Sequence, residues 1–287
     1  MATATTEISI TDIDYLTHGD RALKMRLFRP QSDAPLAVIV DVHGGAWNTG
    51  SLDGCRDRDM ALAEAGFAVA AIDFRQAADG YPTSLQDINY AVRFLKARAG
   101  EFGIDSGRVG YSGQSSGGHL AMLAAMRPRD SRYAAIPLAD VGENDGIDAT
   151  VRCVGMLWPV INPLSRYRNA LRKRNSDDPP AWVGDIPERH DIYWGDETAM
   201  REGNPVTILE EGEPAETPPA LWVQGRPDPV HDYHDPESGG DLNEPERFAG
   251  LYRAAGGDID IVDIEQAAKT TETTVGPLID FYRAHLG

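Results

Sequence analysis

The chain has 287 residues, 41% of them hydrophobic and 25% charged, and a formal net charge of −18 at pH 7. So acidic a balance excludes a nucleic-acid partner and an anionic membrane surface, and it would repel polyanionic substrates. The apolar runs reach only about eight residues, far short of the ~20 that a membrane-spanning helix needs, so no membrane partner is expected.

The first residues, Met1 to Glu7, have neither a basic nor an apolar region, and no signal peptide is visible. Residues 7–15 alternate apolar and polar (Ile8, Ile10, Ile13, Tyr15), and 22–29 do the same, with Gly19-Asp20 as the turn between them. This predicts an antiparallel hairpin at a sheet edge. Residues 36–42 form a nearly continuous apolar run, the mark of a strand covered on both faces. The segment His43-Gly44-Gly45-Ala46-Trp47 follows it directly. A helix is expected over about 55–64 and a buried strand over 67–74. The helical spacing of Leu85, Ile88, Val92 and Leu95 predicts an amphipathic helix over about 82–99.

Next comes Val109-Gly-Tyr-Ser-Gly113-Gln114-Ser115-Ser116-Gly117-Gly118-His119-Leu120, an apolar strand, a glycine-pinched turn and a helix continuing to Met126. It contains the G-x-S-x-G pattern. A serine at the tip of so tight a turn is held in a strained conformation with its hydroxyl above the sheet. The following helix aims its N-terminal N–H groups at charge developing near Ser115. The chain is polar and turn-rich over 128–150, a buried strand is expected over 153–160, and 161–216 break the rhythm. That stretch reads as an inserted lid with short helices. It carries a basic run over 166–174, expected to be a solvated helix face, and the aromatics Trp182, Tyr193 and Trp194. The sheet resumes over 221–225. A helix over about 243–255, a strand over 258–264 and a last helix over about 275–285 complete the chain. Strands alternating with helices predict a mostly parallel, doubly wound α/β sheet in one domain. Ligands bind such sheets at the carboxyl ends of the strands, where His43-Gly44-Gly45, Ser115 and Gly225-Arg226-Pro227-Asp228 all fall.

A serine hydroxyl needs a base, an orienter for that base and donors for the oxyanion. The N–H groups of Gly44, Gly45 and Ala46, with that of Ser116, suit the donors, and losing one typically costs ~2.7–4 kcal/mol in the transition state. His43 is expected to brace this loop rather than to act as the base. Asp228, just past a strand, stands where a base-orienting carboxylate belongs. Trp47, Trp158 and Trp194 are expected to wall an aromatic pocket for a small or medium uncharged ester. No paired His and acidic spacing on one element suggests a metal. Cys55 and Cys153 suggest no disulfide framework, and a cytoplasmic location is the default expectation. Composition leaves a homodimer open.

With its H-G-G-x loop and G-x-S-x-G-G turn, the chain resembles an α/β-hydrolase, specifically the hormone-sensitive-lipase-like carboxylesterases, and it shares these features with kynurenine formamidase-like proteins. The resemblance implies hydrolysis of a small-molecule ester through an acyl-serine, without a cofactor; an arylformamidase or amidase with the same machinery is the alternative. It also implies a catalytic histidine in the loop after the last strand. That loop reads Ile264-Glu-Gln-Ala-Ala-Lys269-Thr-Thr271 and contains none; Lys269 occupies the position. Four explanations are open. The histidine was replaced by design; His231 or His234, just after Asp228, serves as a displaced base; Lys269 acts as a Ser–Lys base; or the chain is a non-catalytic binding protein that keeps the pocket.

Overall fold

A computed structural model describes residues 7–138 and 146–287. Most of Met1 to Glu7 and the middle of the turn-rich 128–150 stretch lie outside the described residues.

The strands are β1 (Ile8–His18), β2 (Arg21–Pro30), β3 (Leu36–Val42), β4 (Ala68–Ile72), β5 (Ile104–Gln114), β6 (Cys153–Leu157), β7 (Ala220–Arg226) and β8 (Ile259–Glu265). They form a sheet of order β1-β2-β4-β3-β5-β6-β7-β8. The β1–β2 hairpin and the β2–β4 pair are antiparallel, and every later pairing is parallel. The helices are α1 (Arg56–Glu64), α2 (Thr83–Ala97), α3 (Ala99–Phe102), α4 (Ser116–Met126), α5 (Pro163–Arg174), α6 (Ile186–Trp194), α7 (Glu197–Glu202), α8 (Pro205–Glu210), α9 (Glu244–Ala254) and α10 (Thr271–Leu286). This is the doubly wound α/β-hydrolase sheet.

The continuous apolar run of β3 has a simple cause. Side chains alternate across a strand. Val38, Val40 and Val42 enter the core on the side of α2 and α4, while Ala37 and Ile39 enter the core on the side of α1 and α10. Both faces are covered, so neither set can be polar. Each fully buried Val or Ile contributes about 1.5–3 kcal/mol of apolar transfer. The outer strand β1 buries only Tyr15.

Between β6 and β7, α5, α7 and α8 each start on a side-chain cap. Asn162 accepts from the Ser165 N–H, Asp196 from Ala199, and Asn204 from Val206 and Thr207. Pro163 and Pro205 stand at the first helical positions, where a missing N–H costs nothing. The basic run on α5 is not uniformly solvated. Arg168, Arg172 and Arg174 pair with Glu197, Glu237, Asp235 and Glu188. Arg166, by contrast, is 4% exposed. The last helix begins four residues earlier than the apolar pattern predicts. The reason is a capping box in which Thr270 and Thr273 satisfy each other's N–H groups.

Candidate active site

Ser115 sits between β5 and α4 with φ 52° and ψ −122°. The strain is held from both sides. Its N–H donates to Leu157 O at 3.0 Å, and its own carbonyl accepts from Val160 at 3.0 Å and from His119 at 3.2 Å. Gly117 is obligatory: a Cβ there would lie 2.1 Å from Val42 O and 2.4 Å from His43 O, so α4 could not approach β3. Ala46, Trp47 and Trp158, at the ends of neighbouring strands, also have positive φ. Such strain persists only where the surroundings over-determine it, and it clusters at functional sites.

The imidazole that reaches Ser115 is that of His231. Its Nε2 lies 3.1 Å from Ser115 Oγ, and its Nδ1 lies 2.8 Å from Asp228 Oδ2. An ionised carboxylate only accepts, so Nδ1 carries the proton and Nε2 is free to accept from the serine hydroxyl. Local chain geometry makes this pair three residues apart. Asp228 Oδ1 accepts the N–H groups of Val230 at 3.1 Å and His231 at 3.3 Å, folding the chain into an Asx-type turn that returns the imidazole to its own carboxylate. Farther along, Asn243 Nδ2 donates to Asp232 Oδ1 at 2.7 Å and Glu244 N–H to Tyr233 O at 3.0 Å, pinning the loop.

Burial pushes the Asp228 carboxyl up, but the His231 hydrogen bond and charge, with the two N–H groups, outweigh it and hold the pKa below the usual range. His231 is held below the usual imidazole range, first by burial and then by the charges of Arg166 and Lys269; the Asp228 hydrogen bond opposes this. The resting pair is therefore carboxylate and neutral imidazole.

The loop after β3 faces this pair. Gly45 has φ +125°, and a Cβ on it would lie 1.9 Å from Thr49 O, so only glycine allows the turn. Asn48 and Thr49 donate to the Gly45 carbonyl. Among the described residues the N–H groups of Gly44, Gly45, Ala46 and Ser116 have no protein acceptor. Beneath the loop, His43 stacks on Phe74 and its Nδ1 contacts Gly44 O at 2.8 Å, which makes it a brace. Behind Ser115, Arg58 binds Asp41 through two nitrogens and reaches Gln114 Oε1 at 2.8 Å. Burial and the adjacent Asp41 push Asp59 up, so it stays protonated and the cluster is neutral.

Several expectations from sequence require correction. His234 is exposed, bridges to Asn243 and turns its Nε2 to Gly240 O at 2.6 Å, away from Ser115. Lys269 has its Nζ 3.0 Å from the centroid of the Trp158 ring and makes no hydrogen bond to Ser115. Trp47 and Trp194 are not pocket walls. They are 1% and 4% exposed. Trp47 packs among His119, His190, Tyr193 and Trp194 and donates its Nε1–H to His119 Nδ1 at 3.2 Å. Their indoles face inward because α6 docks on the loop, through Asn48 Nδ2 to Arg189 O at 2.7 Å. Trp158 is half-buried and does line a cavity of about 650 Å³, together with Gln114 and Lys269. Among the described residues there is no metal-ligand cluster and no helix long and apolar enough to cross a membrane.

A family model described as BD-FAE matches residues 25–238. A probable carboxylic ester hydrolase, LipM, of Mycobacterium tuberculosis is 35% identical over 127 residues, covering 42% of this chain and 29% of that protein. Ethyl acetate hydrolase of Pseudomonas putida is 34% identical over 148 residues, covering 50% of this chain and 46% of that protein. The chain thus spans less than half the length of these two relatives. The crystal structure of carboxyl esterase 2 from Tuber melanosporum superposes with a TM-score of 0.71 at 17% identity, covering 100% of this chain and 89% of that one.

Proposed function

Because this chain belongs to the BD-FAE family, we propose that it is a serine hydrolase cleaving small or medium carboxylic esters through an acyl-serine intermediate. One observation carries the reading. Ser115 Oγ, His231 and Asp228 are linked by hydrogen bonds of 3.1 and 2.8 Å, at the carboxyl edge of the sheet and beside N–H groups that lack acceptors.

Ser115 Oγ attacks the ester carbonyl while its proton passes to His231 Nε2. Asp228 stabilises the resulting imidazolium. The carbonyl oxygen becomes an oxyanion received by the N–H groups of Gly45, Ala46 and Ser116, with Gly44 beside them. The bond to the alcohol then breaks, and the proton on Nε2 leaves with that alcohol. Water repeats the sequence on the acyl-serine and frees the acid. The helical segment α5–α8 serves as the lid, and α8 packs on α4. Two buried, unpaired cysteines support a cytoplasmic setting.

The test is hydrolysis of p-nitrophenyl acetate and covalent labelling by a serine-directed phosphonate. The wild-type chain should turn over and be labelled at Ser115, and Ser115→Ala should do neither. A folded wild-type chain that fails both would overturn the proposal.

A further inference from the structure

Two cations near the reacting pair have no carboxylate partner among the described residues, although most Lys and Arg side chains of this acidic molecule do. Lys269 lines the cavity of about 650 Å³ with Gln114, the neighbour of Ser115. Its Nζ rests on the Trp158 ring, and among the described residues it has neither an ion pair nor a hydrogen-bond acceptor. A cation–π contact satisfies charge but leaves the three N–H donors of the ammonium unused. Arg166 approaches the same centre from α5. It is 4% exposed, and its Nε and Nη1 are enclosed without an acceptor. The carboxylate charge that acts on it is that of Asp228, so its own charge is felt at the triad.

Of the other charges around the cavity, Arg58 is neutralised by Asp41 and Asp53 is taken by Arg26, while Arg56, which has no ion pair among the described residues and lies over the Phe28 ring, adds to the positive rim. Burial pulls Arg166 down to about 10 and also lowers Lys269, and Asp228 opposes both shifts, so the two cations share one electrostatic neighbourhood with the triad. The expectation of an uncharged ester rested on walls formed by Trp47, Trp158 and Trp194; of these Trp158 lines the cavity, under the Lys269 ammonium, and the other two rings lie in the core.

We propose that the cavity lined by Gln114, the neighbour of Ser115, receives a substrate chain ending in a carboxylate, with Lys269 as its ion-pair partner and Arg166, whose charge also acts on His231, adding positive potential. The substrate class is then the monoester of a dicarboxylic acid, or an equivalent ester with one free acid group. This rests on the hydrolase reading above and deepens it.

The test is a matched pair of esters, mono-p-nitrophenyl adipate and its methyl p-nitrophenyl diester. They share an acyl chain and differ only in the terminal charge. Wild type should favour the free acid in kcat/KM. Lys269→Met should lower the acid-to-diester ratio about 30-fold, equivalent to about 2 kcal/mol. Lys269→Arg should retain the preference, and Lys269→Glu should reverse it. Raising NaCl from 0.05 to 0.5 M should shrink the wild-type ratio, which needs no variant to fold. Turnover of both esters with no preference for the acid, and a ratio indifferent to Lys269→Glu and to salt, would overturn the subsite and leave the hydrolase standing. Failure of both esters together with failure of phosphonate labelling would remove the hydrolase reading, and this one with it.

Discussion

Replacing His231 by Ala isolates the base. The side chain makes two hydrogen bonds, 3.1 Å to Ser115 and 2.8 Å to Asp228. Asp228 keeps its other donors, the N–H groups of Val230 and residue 231. Loss of one charge-assisted hydrogen bond therefore costs about 1.5–3 kcal/mol of stability, which a folded domain of this size survives. The effect on rate is far larger. Removing the base of a serine triad lowers kcat about 10⁶-fold, or about 8 kcal/mol of transition-state stabilisation. What remains, about 10³–10⁴-fold over water, comes from the N–H donors and substrate positioning. Initial rates on p-nitrophenyl butyrate, with circular dichroism to verify folding, measure this directly. His231 is only 13% exposed, but its deletion opens a space beside Ser115, and added imidazole should restore part of the rate. His234→Ala is the control and should stay within about threefold of wild type, as surface changes usually do. A His231→Ala protein within tenfold of wild type, or a His234→Ala protein as damaged as His231→Ala, would refute the assignment.

Asp228→Asn should lower kcat about 10⁴-fold at neutral pH, because an amide that donates to Nδ1 favours the tautomer with Nε2 protonated. A loss under tenfold would show that Asp228 does not set the tautomer. The acid limb of the kcat/KM profile should lie below the ordinary imidazole value of 6.5, since burial, Arg166 and Lys269 all disfavour imidazolium. Lys269→Met removes one of these cations, so the limb should move to higher pH; a move to lower pH would contradict the electrostatic account. Asn48→Ala breaks two 2.7 Å hydrogen bonds, to Ala46 O and Arg189 O, that tie the oxyanion loop to α6. It should cost about 1–3 kcal/mol in denaturant unfolding and should lower kcat more than it raises KM. An unchanged midpoint with unchanged kcat would show the tie to be idle.

Much of the architecture was legible because it follows from period and punctuation. The buried strands at β3 and β5 announce themselves as apolar runs, and Gly117 marks a turn that no larger residue can make. Legibility fell where a residue's role depends on which way its side chain turns. Trp47 and Trp194 sit on segments that border the site, yet their rings point inward, toward partners such as His119 that are 72 residues away in sequence for Trp47. The capping box of α10 was present as Thr270 and Thr273, but the run of threonines masked the helix behind it.

The base shows the same limit more sharply. His231 and His234 both follow Asp228, and composition cannot separate them. The distinction is one of local geometry. A carboxylate that binds the N–H groups two and three residues ahead brings the side chain at the third position back onto itself, whereas the side chain at the sixth is carried past it to the bridge with Asn243. Spacing of three after an aspartate in a strand-end turn was therefore the available signal. With the base held in the same loop as its orienter, the loop after β8 no longer has to supply an imidazole. The position that faces the cavity is then free to carry Lys269, and the difference between this chain and its resemblance changes meaning, from a lost catalytic group to a residue available for reading the substrate.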